Sequence, residues 1–107
     1  MPGLAGKHKG ANFVLAHSGV GSIEEYIRLA NDYPNVYLEL CGSTCVLGVV
    51  ERLVTDVPVE KILWGSDTFF INTAHQLGKV LGANIPEGTK RKLLSTNARR
   101  LLSLIRR

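Results

Sequence analysis

Long apolar runs, redox-type cysteine spacing and aromatic-studded basic patches are all missing from this sequence, and each absence removes a class of protein. No apolar stretch approaches the roughly 18 residues needed to span a bilayer, so no membrane span is expected. Residues 1–12 are rich in Gly, Lys and Ala and lack a sustained apolar core, so no signal peptide is read there. Only two cysteines occur, Cys41 and Cys45, in a spacing that forms neither a CxxC redox pair nor a zinc knuckle. Reduced thiols and a cytoplasmic location are the expectation. The net charge is +4 and the pI about 9.3, but the excess is local. Lys90, Arg91 and Lys92 fall together, and Arg99, Arg100, Arg106 and Arg107 crowd the end of the chain. These cations alternate with Leu at helical spacing, as on the solvated face of a helix. No aromatic residue stands among them as a stacking platform, so nucleic acid is not an expected partner.

What is present is an ordinary globular composition, with 45% hydrophobic and 21% charged residues in a chain of 107. Short apolar runs alternate with amphipathic stretches. Asn12–His17 reads as a buried strand, followed by the turn signal Ser18-Gly19-Val20-Gly21. Ser22-Ile23-Glu24-Glu25 has the form of a capping box. The helix it opens places Ile23, Ile27 and Ala30 on one face and ends near Tyr33, because Pro34 cannot continue it. Val36–Leu40 is a second strand. A second helix is expected from about Thr44 to Val54, with Val46, Val50, Leu53 and Val54 as its apolar stripe. Lys61–Trp64 is a third strand, leading into Gly65-Ser66-Asp67. A third helix is expected over 73–82 and a helix start at Pro86. Asn97 is expected to cap a last helix with Leu101, Leu104 and Ile105 inward.

The resulting pattern, β-α-β-α-β-α-α, implies an α/β fold with a parallel sheet, right-handed crossovers and strand order 1-2-3. In such sheets the reactive groups stand just past the carboxyl ends of the strands. His17, Cys41 (with Glu39 inside its strand) and Asp67 meet that rule. Each also has a plain reading. His17 could be a packed core histidine, and Asp67 a turn or helix-capping residue. Glu39 could be a structural polar group. Cys41 has no adjacent base in sequence to activate it, so a buried thiol is the expectation. His75 reads as a surface or packing residue.

The segments Phe13-Val14-Leu15-Ala16-His17-Ser18-Gly19, Tyr33-Pro34-Asn35-Val36-Tyr37, Ile62-Leu63-Trp64-Gly65-Ser66-Asp67 and Asn97-Ala98-Arg99-Arg100-Leu101 together resemble the closing third of the amidohydrolase-related family. That family includes carboxymuconate-semialdehyde-type decarboxylases and hydrolases. The resemblance runs in order from about residue 11 to about residue 105. It implies a partial (β/α)8 TIM barrel, with the three strands standing as strands six, seven and eight and residues 1–107 forming the C-terminal portion of the barrel domain. It implies that His17 contacts metal or substrate. It further implies that Asp67 ligates a divalent metal, zinc above all, or takes a proton from the attacking water. The expected activity is that of a metal-dependent hydrolase acting on a small-molecule substrate, with decarboxylation as the alternative.

A whole barrel of this type takes about 250 residues. No His-x-His motif and no strand-five histidine occur here; residues 1–11 hold only His8. His17 and Asp67 are therefore expected to form a partial site, inactive in the isolated chain. Open sheet edges lead to an expectation of self-association or of complementing barrel strands. A non-catalytic α/β interaction module is the rival reading. The two site residues should lie on the same side of the sheet, at strands about 10 Å apart, with inward side chains and barrel curvature narrowing the gap.

Overall fold

The computed structural model describes residues 2–18, 21–42, 47–68 and 72–105. In chain order its elements are α1 (Pro2–Lys7), β1 (Phe13–Leu15), α2 (Ile23–Asp32), β2 (Val36–Glu39), α3 (Val49–Asp56), β3 (Ile62–Leu63), α4 (Thr73–Leu81), α5 (Glu87–Arg91) and α6 (Asn97–Ser103). A 3-10 turn, Val59–Lys61, leads into β3, and a π turn, Lys92–Thr96, joins α5 to α6. Among the described residues the strands form one sheet in the order β1-β2-β3. Both pairs are parallel, with Phe13 opposite Val36, Leu15 opposite Leu38 and Leu38 opposite Ile62. This is the expected topology, and it follows from helices long enough to return the chain to the same end of the sheet.

The central strand carries the core. Val36 and Leu38 point to one face and are fully buried. Leu38 packs in a cluster with Ala30 of α2, Leu53 of α3, Ile62 of β3, Val80 of α4 and Leu93 of the π turn. Val36 joins a smaller cluster with Ala5 of α1 and Leu29 of α2. The alternation of side chains along a strand puts Glu39 on the other face, in register with Leu63.

Several local expectations need correction. The strands are shorter than read, and β1 is not buried: Val14 is 46% exposed, because an edge strand has no neighbour on its outer side. Residues Pro2–Lys7 are helical despite two glycines, since Ala5 is pinned in the smaller core cluster and Ala5, His8 and Ala11 carbonyls converge on the amide of buried Asn35. Ser22 stands at the N-cap position of α2 but makes no side-chain capping bond. Its neighbour Glu24 instead receives a bond from Arg52 of α3 at 2.7 Å. The described part of the second helix begins at Val49, after Gly48 in a left-handed turn, and the expected start at Thr44 and the stripe residue Val46 lie outside the described residues.

The largest departure is at the C-terminal end. Pro86 does precede a helix, but the helical run continues without a break from Glu87 through the π turn to Ser103. Asn97 is therefore interior to it and caps nothing. Its amide donates to the carbonyls of Val59 at 2.6 Å and Ile62 at 2.8 Å, tying the helix to the entry of β3. Leu104 and Ile105 are not inward either: both are about 60% exposed, and Leu101 is half-buried. With Leu102, Val14, Asn12 and Gly10 they line an open groove of about 560 Å³ beside the free edge of β1.

Candidate functional site

The carboxyl ends of all three strands open on the same side of the sheet, as parallel pairing requires. Beyond β1 the chain turns at His17, whose φ is +60°, and beyond β3 it turns at Asp67, whose φ is +52°. His and Asp tolerate the left-handed region better than most residues, yet such a conformation still costs about 1–3 kcal/mol and persists only where surroundings impose it. Ladder-type bonds continue past the strands at both places. The Ser18 N–H donates to the Glu39 carbonyl at 2.8 Å, and the Leu40 N–H donates to the Leu63 carbonyl at 3.0 Å. The Ser18 hydroxyl closes the first turn onto the Leu15 carbonyl at 2.7 Å.

These turns bring His17, Cys41 and Asp67 together: one ligating atom from each lies within 4.8 Å of the others. His17 is exposed, Asp67 half-buried and Cys41 buried. His17 is accordingly not a core histidine. His75 is an exposed residue of α4, as expected. Cys45 lies outside the described residues.

Glu39 organises the cluster. Its carboxylate accepts the Cys41 N–H at 3.0 Å and the Cys41 thiol at 2.7 Å, with a longer bond from the His17 N–H at 3.4 Å. On its other flank it lies against Gly65 so closely that a Cβ there would overlap the carboxylate oxygen. One side chain thus touches the ends of all three strands. Sequence reading left Glu39 as a structural polar group and found no base beside Cys41. The signal was there in the i, i+2 spacing of Glu39 and Cys41, which puts both side chains on one face of an extended chain, opposite the buried Leu38 and Leu40.

The chain after Cys41 is fastened from α4. Buried Gln76 donates to the Gly42 carbonyl at 2.7 Å and Lys79 donates to the same oxygen at 2.6 Å. The Trp64 indole N–H donates to the Gln76 carbonyl at 2.9 Å, linking the exit of β3 to the same helix.

Burial, and then the hydrogen bond to Glu39, push the Cys41 thiol up to about 11 from an ordinary value of 9.0. A raised thiol pKa means the fold favours the protonated form. That contribution to stability is full below about 9 and is lost as the pH rises through about 11. In the metal-free chain carrying Cys45→Ser, alkylation of Cys41 by iodoacetamide at pH 8 should therefore be much slower than in the urea-unfolded chain. The difference should shrink as the pH approaches 11. Equal rates at pH 8 would show a thiol that is neither buried nor held protonated.

An imidazole, a thiol and a carboxylate converging within this distance are a donor set that suits a divalent transition metal; zinc takes N, S and O ligands of these kinds. The three residues present therefore fit such an ion. The family model for amidohydrolases matches residues 1–104. The chain belongs to the amidohydrolase family. Among solved structures it is similar to 2,6-dihydroxybenzoate decarboxylase from Rhizobium, with a TM-score of 0.75 at 24% identity, over 95% of this chain and 38% of that one. The same enzyme complexed with 2,6-dihydroxybenzoate aligns equally well. Amidohydrolase 2 from Bifidobacterium longum subsp. infantis aligns with a TM-score of 0.68 at 18% identity, over 94% of this chain and 44% of that one. No curated protein matches the sequence. The fold is a partial TIM barrel of the amidohydrolase type, and the chain spans well under half the length of these enzymes. Among the described residues no helix is long and apolar enough to cross a membrane.

Proposed function

We propose that this amidohydrolase-family chain is the C-terminal portion of a metal-dependent hydrolase barrel, its β1, β2 and β3 standing as strands six, seven and eight. His17 and Asp67 are its metal-facing and acid–base residues. The observation that carries this reading is the meeting of His17 and Asp67 over the carboxyl ends of β1 and β3, where a (β/α)8 barrel builds its active site. A divalent metal bound there, zinc by its donor set, supplies Lewis acidity. The Asp67 carboxylate is placed to take a proton from a water or a substrate group, and the exposed His17 imidazole to bind and orient a small-molecule substrate. Glu39 keeps Cys41 and the His17 backbone in place beside them. The rest of the pocket comes from strands this chain does not contain, so the chain alone is inactive. The free edge of β1 and its apolar groove are where complementing strands, or a second copy, cover the sheet. The location is cytoplasmic, with reduced thiols. Non-oxidative decarboxylation is a second reading, favoured by the similarity to a decarboxylase of the same fold.

Calorimetric titration of zinc into the chain tests the site. Zinc affinity should fall by about tenfold or more in both His17→Ala and Asp67→Asn, since even an outer hydrogen-bond partner of a ligand is worth about 10–100-fold. A hydrolase assay alongside should show no turnover by the isolated chain. Tight binding untouched by either substitution would place the metal elsewhere, and robust turnover would show that further strands are not needed.

A further inference from the structure

We propose that Cys41 is a third protein ligand of the metal site, binding as a thiolate between His17 and Asp67, with Glu39 as the group that receives its proton. The inference rests on the metal-site reading above and adds to it a ligand from the middle strand. Its basis is geometric. The Cys41 Sγ lies 4.0 Å from His17 Nε2, and all three donor atoms fall within 4.8 Å of one another. Tetrahedral zinc with bonds of about 2.0–2.3 Å holds its ligand atoms about 3.5 Å apart. From 4.8 Å the donors thus need to close by about 1.3 Å at most, a side-chain adjustment rather than a rearrangement of strands. Three donors also change the character of the site. Imidazole and carboxylate alone form a weak two-point chelate, and a thiolate adds a third point of attachment from this chain's own strands. A thiolate biases the choice toward zinc or cobalt and against magnesium or calcium.

The proton has a recipient already in contact. The thiol donates to Glu39 Oε2 at 2.7 Å. On ligation the S–H bond breaks, sulfur keeps the electron pair and forms the bond to the metal, and the proton passes to Oε2. The carboxyl then donates back to the thiolate along the same line, so charge and hydrogen bond are both conserved at that pair. Gly65 leaves the space that Glu39 needs to stand there.

Cobalt(II) is the probe, added to the reduced 107-residue chain. A thiolate ligand produces an intense near-ultraviolet charge-transfer band that nitrogen and oxygen ligands do not. The band should appear in the parent chain, persist in Cys45→Ser and vanish in Cys41→Ser and Cys41→Ala. Cobalt affinity should fall by about tenfold or more in both Cys41 variants, at least the range seen when a ligand loses a supporting partner. Cys41→Ser keeps nearly the same volume, and circular dichroism of each variant separates loss of a ligand from loss of fold. Cobalt binding that lacks the band, yet weakens in His17→Ala and Asp67→Asn, would overturn the Cys41 assignment and leave the metal-site reading standing. A band that survives Cys41→Ser would also overturn it. Absence of any cobalt binding by the folded parent would overturn both.

Discussion

Leu38→Ala should lower the unfolding free energy by about 2–5 kcal/mol, the range for truncating a fully buried Leu where the surroundings cannot collapse. Leu38 has no exposed surface, and collapse is hindered on every side. It is on the central strand, paired with Leu15 on one flank and Ile62 on the other. Below it lie Leu53, Val80 and Leu93, each itself fully buried. A domain of this size has about 5–15 kcal/mol of stability in all, so the loss should be plain in urea denaturation. Leu104→Ala is the internal comparison: its side chain is 61% exposed, and the change should stay within about 0.5 kcal/mol. A Leu38→Ala loss below about 1 kcal/mol would mean that the core is looser than this packing describes.

The second large effect is expected at Asn97, where the choice of substitution separates two roles. As a tie, its amide nitrogen serves the Val59 and Ile62 carbonyls, and the residue is only 2% exposed. Asn97→Leu leaves the Ile62 carbonyl without this donor in a buried setting, at about 1–3 kcal/mol, and takes one bond from the Val59 carbonyl, which keeps the Ile62 N–H. Asn97→Asp should be at least as damaging, since it turns the donor into an acceptor facing two other acceptors. A helix cap behaves differently: Asp caps about as well as Asn, so Asn97→Asp would be nearly silent. Chemical denaturation of the two variants decides between the roles. Near-parent stability for Asn97→Asp would restore the cap that the sequence alone led one to expect.

Asn97 shows where sequence reasoning stops. An Asn between a Thr and a run of Ala, Arg and Leu looks like a cap, because capping is a local interaction and can be read locally. Its actual partners are 38 and 35 residues away, and no periodicity encodes that distance. Leu104 and Ile105 fail for the same reason. Their helical spacing is that of an inner face, but the helical run ends before them and the nearest wall is the free edge of β1. Pro2–Lys7 was illegible because Gly3 and Gly6 weaken any intrinsic helix preference, while the packing of Ala5 and the bonds to Asn35 come from elsewhere in the chain.

The alternation of strands and helices, the parallel order β1-β2-β3 and the burial of the central strand were determined by the sequence itself. Hydrophobic periodicity, proline breaks and right-handed crossover leave few other arrangements. The placement of His17, Cys41 and Asp67 just past strand ends was legible on the same grounds. Their convergence within 4.8 Å was not. It depends on left-handed turns at His17 and Asp67, on the space that Gly65 leaves, and on one carboxylate, Glu39, that reaches all three strand ends. Strand pattern assigns each residue to the end of a strand, but the distance between two ends is set by sheet register, twist and the side chain lodged between them. Those are properties of the assembled sheet, and the tertiary structure alone decided them.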